Sequence, residues 1–329
     1  MSRTIYFNNK PNIIGVSTVA GPKESMGCIA DSYEVKLSND MFDEDTFEKA
    51  ESKMLYTAIK NSILNAKLKE NEIDALVSGD LLNQIIASTF AARSFDFGYV
   101  GIYNACATFA ESLILGAVLV DGGYMNNVSC SSCSHFSSAE RQYRYPLELG
   151  CTRPPQAQWT VTGAGACVLS NSGSGPKITA GTIGRVVDFG VTDANNMGAA
   201  MAPAAADTLI THFNNTNTKP NDYDLIVSGD LGTLGSRILK DLTWEKGFDI
   251  EDEHVDCGEL VYCLSEEEYQ GGSGAGCSAL VFNSYLYKKL KKKKLNKILF
   301  MATGALLSSV STQQGDSIPG IAHAVVVES

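Results

Sequence analysis

One octapeptide occurs twice in this chain. Residues 74–81 read Asp-Ala-Leu-Val-Ser-Gly-Asp-Leu and residues 224–231 read Asp-Leu-Ile-Val-Ser-Gly-Asp-Leu, six of eight identical at an offset of 150. That offset is close to half of the 329 residues. It is too long for a solenoid and predicts two copies of one α/β unit. Each copy is a short apolar run stopped at Ser-Gly-Asp, the pattern of a buried strand ended by a turn. Helical spacing precedes the first copy at Phe47, Ala50, Met54, Leu55, Ala58, Ile59 and Ile63, with Asp45 and Glu48 as the N-terminal cap signal. Before the second copy, Pro203 opens a segment with Leu209, Ile210 and Phe213 on one face.

The correspondence continues. A strand at 99–103 leads to Asn104-Ala105-Cys106-Ala107, a helix to about 121 and a strand around Val128. In the second half the glycine loop 271–276 leads to Cys277, a helix and a strand around Leu299. Both strands centre about 22 residues after their cysteine. The second half carries an extra acid-rich segment near 248–268, read as a surface excursion with charged loops. Alternating strands and helices predict a mostly parallel sheet with helices on its faces. The halves are expected at 1–172 and 173–329, related by a pseudo-twofold axis. Ligands in such folds bind beyond the carboxyl ends of the strands. Both Ser-Gly-Asp turns and Cys106 fall there. The repeat therefore predicts a cleft lined by Asp80, Asp230, Cys106 and the glycine loop, including Gly272 and Gly274.

Composition narrows the function. The formal net charge is −11, which argues against nucleic acid, bound mainly through Lys and Arg. No uncharged apolar run reaches the roughly 18 residues of a membrane span. The opening Met-Ser-Arg-Thr-Ile-Tyr lacks the apolar core of a signal peptide. Nine scattered cysteines then read as reduced thiols.

Cys106 is the sharpest chemical candidate. It stands where a strand turns into a helix, and the positive end of a helix dipole favours a thiolate. A nucleophilic cysteine needs a base, usually histidine. His323 lies in an apolar terminal strand and is the candidate for lining the cleft. His212 and His254 have polar neighbours and are expected at the surface, and His135 in a loop. Cys130-Ser-Ser-Cys133 has redox spacing but the wrong context for redox or zinc chemistry. The glycine loop matches neither a dinucleotide fingerprint nor a P-loop, and its expected role is close backbone approach. Arg141, Arg144 and Arg185 are candidate anion contacts. Lys288, Lys289, Lys291, Lys292, Lys293, Lys294 and Lys297 form a basic run, read first as a solvated helix C-terminus and second as attraction to an anionic membrane surface.

Several strings converge on one family. They are Gly79-Asp80-Leu81-Leu82-Asn83-Gln84, Ala105-Cys106, Glu140-Arg141-Gln142-Tyr143-Arg144-Tyr145-Pro146 and Thr162-Gly163-Ala164-Gly165-Ala166. Further on come Gly184-Arg185-Val186-Val187-Asp188, Ala199-Ala200-Met201-Ala202-Pro203-Ala204-Ala205-Ala206-Asp207, Gly271-Gly272-Ser273-Gly274, Ala302-Thr303-Gly304-Ala305-Leu306-Leu307-Ser308 and Ile321-Ala322-His323. With these, the chain resembles the thiolase-like superfamily and, within it, a sporulation branch from spore-forming bacteria. The resemblance implies a five-layered αβαβα fold, a homodimer and no cofactor. It implies a role in moving or holding pyridine-2,6-dicarboxylic acid (dipicolinic acid) in the developing spore, beside membrane proteins of the same operon. The protein would be soluble or peripheral at the forespore inner membrane.

The resemblance to β-ketoacyl synthase III is informative because it fails. Those enzymes use a Cys-His-Asn set. Cys106 matches the nucleophile, but Ser228-Gly229-Asp230 and Gly272-Ser273-Gly274 stand where the histidine and asparagine belong. Without base and oxyanion donor, orders of magnitude of acyl-transfer rate are lost. The expectation is a binding cleft, with Asp80, Cys106, Asp230, Gly272, Gly274, His323 and Arg141 as ligand contacts and no resident metal. Asp80 and Asp230 would repel a bare dianion, and a calcium chelate of the ligand would relieve this. The rival expectation is acyl transfer on Cys106 with His323 as a relocated base.

Overall fold

The computed structural model describes residues 2–143, 150, 153–264 and 270–329. Ten strands build two five-stranded sheets with the same internal order. The first runs Gly98–Gly101, Ala75–Gly79, Asn127–Ser134, Gly163–Ser170, Asn12–Ala20. The second runs His254–Asp256, Leu225–Ser228, Lys297–Ala305, Gly320–Glu328, Lys177–Thr182. Asn12 and Lys177 form the pairing between them. A short strand, Thr4–Tyr6, adds to the second sheet beside Lys177–Thr182.

Each sheet is mixed, not mostly parallel as the alternation suggested. The two octapeptide strands pair parallel with both neighbours. The remaining pairings among these ten strands within each half are antiparallel. The connections explain this. Parallel neighbours need a crossover helix, and Thr108–Asp121 provides one. After Asn127–Ser134 and after Lys297–Ala305 the chain turns back at the same end of the sheet, so the next strand runs the other way.

Four sets of helices cover the two sheets. Phe47–Asn65 packs outside the first sheet on the face its spacing predicts, burying Ala50, Met54, Leu55, Ala58, Ile59 and Ile63. Its cap is Thr46, one residue beyond the expected Asp45, with Oγ1 accepting from the Lys49 N–H at 3.3 Å. Met197–Thr216 lies outside the second sheet, with Pro203 inside it and not at its start. Between the sheets lie Thr108–Asp121 and Ala275–Val281, the latter continued by a π-helical turn, Phe282–Leu286, into Tyr287–Lys291. Counted from outside to outside, this is αβαβα. Phe109 from one half meets Phe282 and Phe300 from the other, with ring centroids 5.5 and 6.0 Å away. Each fully buried phenyl contributes about 2 kcal/mol by area alone, so the central layer holds the halves together.

Three further expectations need correction. The segment near 248–268 is not a surface excursion: it supplies the edge strand His254–Asp256 and the helix Cys257–Val261, with Ile250 and Cys257 buried, while 265–269, with Glu266, Glu267 and Glu268, lie outside the described residues. His212 and His254 are buried, because the helix face and edge strand that carry them turn inward. His212 bonds Thr182 and Tyr223, and His254 bonds Ser228. The cysteines are not all free thiols: Cys28 and Cys263 form a disulfide with Cα atoms 5.0 Å apart. That separation lies within the reach of a disulfide, but a sequence separation of 235 hides it from spacing arguments. No helix among the described residues is long and apolar enough to cross a membrane.

Candidate functional site

The site begins with a strained turn. Ala105 has φ +50, a left-handed conformation uncommon for a residue with a Cβ. Such strain persists only where the surroundings impose it. Gly304 on the facing strand allows it: a Cβ there would lie 2.4 Å from the Asn104 carbonyl oxygen. The turn therefore presses one half against the other and presents Cys106 between them, just before the Thr108–Asp121 helix, with 6% of its surface exposed.

The Cys106 thiol lies beside the Asp230 carboxylate and favours its charged form. Thr303 Oγ1 donates to the same carboxylate at 2.6 Å and the Gly274 N–H at 3.2 Å. Burial nonetheless pushes the Asp230 carboxyl up to about 6. Gly274 takes φ +110, and a Cβ on it would lie 2.6 Å from Ser134 Oγ. The glycine loop thus approaches the protein's own first half and is not held open for a ligand. Gly272 is walled off likewise by Val161, 2.8 Å from where its Cβ would be.

The other expected contacts lie apart. Asp80 is fully buried and accepts from the N–H groups of Leu82 and Ser88 at 2.8 and 2.7 Å. It caps its own turn. His323 accepts from the Gly184 N–H through Nδ1 at 3.1 Å, and its Nε2 lies 3.3 Å from the Asn104 amide. A neutral ring that accepts at Nδ1 carries its proton on Nε2. Burial lowers its pKa to about 4. Arg141 pairs with Glu48 at the start of the Phe47–Asn65 helix, and both side chains are part-exposed. Arg185 pairs with Asp207 at 2.8 Å. Arg144 lies outside the described residues. Cys130 and Cys133 point to opposite faces of their strand, toward Ser112 and Glu51.

Several buried acids escaped the sequence reading, Asp256 and Glu51 among them. Asp256 accepts from the N–H groups of Leu231, Gly232 and Gly258 at 2.9, 3.0 and 2.9 Å, and burial pushes it up to about 7. Glu51 accepts from Ser138 Oγ at 2.7 Å. Burial, with the charge of Asp80 behind it, raises Glu51 well above the ordinary carboxylate range. A signal existed for Glu51: it sits four residues after Phe47 and three before Met54, on the apolar face.

A narrow space of about 30 Å³ adjoins Cys106, walled by Leu81, Tyr103, Tyr143, Met197 and Leu307. It holds little more than one water. Tyr103, Tyr143 and Leu307 also border a wider cavity of about 410 Å³, reached by Asn83, Gln84, Ile85, Gly101 and Ser308. The Tyr103 and Tyr143 hydroxyls are 3.1 Å apart, and Tyr143 donates to the Leu81 carbonyl. Tyr103 therefore donates to Tyr143. Among the described residues, no charged side chain lines either space. Gln84 and Ile85 both take positive φ, at +57 and +46. For the β-branched Ile85 this is a genuine outlier.

The sequence matches the family of stage V sporulation protein AD over residues 1–328. The chain belongs to the stage V sporulation protein AD family. It is 40% identical over 326 residues to stage V sporulation protein AD of Bacillus subtilis (strain 168), covering 99% of this chain and 96% of that protein. Among solved structures it resembles 3-oxoacyl-[acyl-carrier-protein] synthase III from Aquifex aeolicus VF5, with TM-score 0.59, 15% identity, and 97% and 100% of the two chains covered. It also resembles cerulenin-bound OleA of Xanthomonas campestris, with TM-score 0.63, 14% identity, and 99% and 98% covered. These likenesses show the fold, which is thiolase-like.

Proposed function

We propose that the protein binds dipicolinic acid in the cleft beside Cys106 and acts in its uptake into the developing spore, without acyl-transfer chemistry. The observation that carries this reading is the partner of Cys106. The thiol lies beside a carboxylate, and His323 spends its acceptor nitrogen on the Gly184 N–H. A ring with a pKa near 4 is also a weak base near neutrality, which weighs against the acyl-transfer reading.

The cavity suits a flat aromatic ligand. Tyr103 and Tyr143 offer rings and hydroxyls at the throat, and Gln84 offers an amide. An uncharged lining disfavours a bare dianion, since a buried charge without a partner is costly. The calcium chelate of dipicolinate is neutral and fits this lining better. Asp80 and Asp230 need not coordinate that calcium, because their oxygens are already used. A second copy of the chain would pair along the exposed edge strand Gly98–Gly101, which borders the same cavity.

Titration calorimetry with dipicolinate, with and without calcium, tests the reading. Heat that is larger with calcium, and reduced at least tenfold in affinity by Tyr103→Ala, is expected. Absence of heat in both conditions sinks it. A covalent adduct on Cys106 after incubation with acyl-CoA, seen by mass spectrometry, would favour acyl transfer instead.

A further inference from the structure

The two helices of the central layer end on the same backbone, and this identity isolates a feature the fold does not require. Thr108–Asp121 closes through Gly122, Gly123 and Tyr124 into Asn127–Ser134. Its counterpart closes through Lys292, Lys293 and Lys294 into Lys297–Ala305. The hydrogen bonds match one for one. Gly123 N–H donates to the Val120 carbonyl, and Lys293 N–H to that of Leu290. Tyr124 N–H donates to the Leu119 carbonyl, and Lys294 N–H to that of Lys289. Asp74 accepts from the N–H groups of Asn126 and Asn127, and Asp224 from those of Asn296 and Lys297.

Gly123 has φ +71 and Lys293 φ +53. This region is natural for glycine and strained for a residue with a side chain. The first half ends its helix with glycine here and with no basic residue in its last turn. Helix ends attract cations, but the matching end manages without them, so capping does not explain the lysines. Seven lysines fall within residues 288–297 of a chain with net charge −11. Among the described residues, none of the seven forms a salt bridge. Lys292, Lys293 and Lys294 are exposed.

This turn lies at the starting end of the central strands. The strand Lys297–Ala305 has nine residues, so the run stands roughly 25 Å from the end that abuts the Cys106 turn. Two exposed tyrosines share the pole: Tyr124 at 78% and Tyr6 at 57%. Lys10 and Lys297 flank a groove of about 390 Å³ beside Tyr6. The Asn9 amide donates to the Asp121 carbonyl at 2.7 Å, which joins the Lys10 loop to the Tyr124 turn.

We propose that this lysine-bearing pole docks the protein on an anionic lipid bilayer, with the mouth of the Cys106 cleft at the opposite end. Two features favour a bilayer over a nucleic acid. The basic charge is concentrated in one turn at one pole, which a flat surface can meet. Asp224 and Glu328 lie at the same end, and the lysines of the run outnumber them, while acidic groups farther off than about 10 Å are screened at 0.1 M salt. Exposed tyrosines beside lysines also suit a headgroup layer, where aromatic rings concentrate.

The test is sedimentation of the full chain with phosphatidylcholine vesicles that contain or lack phosphatidylglycerol. Binding is expected only to the anionic vesicles. It should peak at intermediate salt, because low salt lets the whole acidic body be felt and high salt screens the lysines. Each well-placed lysine adds about 1 kcal/mol, about fivefold in partitioning. Lys291→Gln, Lys292→Gln, Lys293→Gln and Lys294→Gln together should lower partitioning roughly a hundredfold or more. Lys49→Gln with Lys53→Gln, remote from the pole, should leave it within threefold. Lys293→Gly is the discriminating variant: it should raise the thermal midpoint by relieving the left-handed strain while weakening vesicle binding about fivefold. A quadruple variant that binds within threefold of the parent overturns the proposal. So does equal binding to neutral vesicles, a lowered midpoint in Lys293→Gly, or tight DNA binding lost in the same quadruple variant.

Discussion

Asp80 and Asp230 hold the same seventh position of the octapeptide and do opposite things. Asp80 turns back and accepts from the N–H groups that follow it, at Leu82 and Ser88. Asp230 turns across the central layer to Cys106, Thr303 and Gly274. The neighbouring strand decides. Register pairs Ser228 with Asp256 and Ser78 with Gly101. Asp256 supplies a carboxylate that accepts from Leu231 and Gly232, so Asp230 is released from capping its own turn. Gly101 supplies nothing, so Asp80 must cap its own turn, and the space beside Gly101 opens into the cavity of about 410 Å³. The two halves are alike in strand order, and the difference across this one strand pair goes with a buried acid facing the thiol in one half and the cavity in the other.

The largest test of this comparison is Asp256→Ala. It leaves three buried N–H groups without their acceptor. Unsatisfied buried donors cost about 1–3 kcal/mol each, and partial rehydration brings the expected loss to about 4 kcal/mol by urea unfolding. Asp80→Ala removes the acceptor of two N–H groups and should cost about 3 kcal/mol. If Asp80→Ala were the more damaging, the transfer of capping from Asp230 to Asp256 would be wrong. Asp256→Asn keeps one acceptor oxygen and should recover about half the loss.

Asp230→Asn probes the other side. The ordinary value of this carboxyl is 3.8, and burial holds it at about 6 in the folded protein. The folded state therefore grips the proton more tightly than the unfolded chain does. Its contribution is complete below the unfolded value and is lost as pH rises through about 6. That difference is about 3 kcal/mol. Asp256, at about 7, titrates in both proteins, but the Asp230 charge helps to raise it, so its contribution cancels only in part and shifts to lower pH in the variant. Relative to Asp230→Asn, the parent should lose up to about 3 kcal/mol between acid and neutral pH. A difference between the two proteins that does not vary with pH would mean that Asp230 is not held protonated by burial.

Much of this was legible in the sequence, for identifiable reasons. The octapeptide repeat fixed two equivalent units, and the equal spacing from Cys106 to Val128 and from Cys277 to Leu299 fixed the crossover helices. The approach of Cys106, Asp230 and the glycine loop followed from placing each at a strand's carboxyl end. What sequence could not settle was orientation. A repeat tells where Asp80 and Asp230 sit but not which way their carboxylates turn, because that depends on Gly101 and Asp256 one strand away. His212 and His254 read as polar from their chain neighbours and proved buried, since burial follows the face and not the flanks. Cys28 and Cys263 could not be paired without the fold.

The smallest expected effect concerns Arg141, which lies on the first-half side next to the cavity wall. Its neighbour Gln142 contacts Asn83, so an arginine that reached inward could serve a carboxylate ligand. Its guanidinium instead pairs with Glu48, and the two side chains are 45% and 35% exposed. A pair this open to water contributes at most about 1 kcal/mol, and often less. Its neighbour Phe47 gains a second weak contact, with the guanidinium 5.9 Å from the ring centre. Arg141→Ala should therefore lower stability by about 0.5 kcal/mol and leave dipicolinate affinity within twofold. A tenfold loss of affinity with unchanged stability would place the guanidinium on the ligand. The cavity of the first half would then not be the neutral counterpart of the Asp230 side, and its preference for the calcium chelate would give way to direct recognition of the dianion.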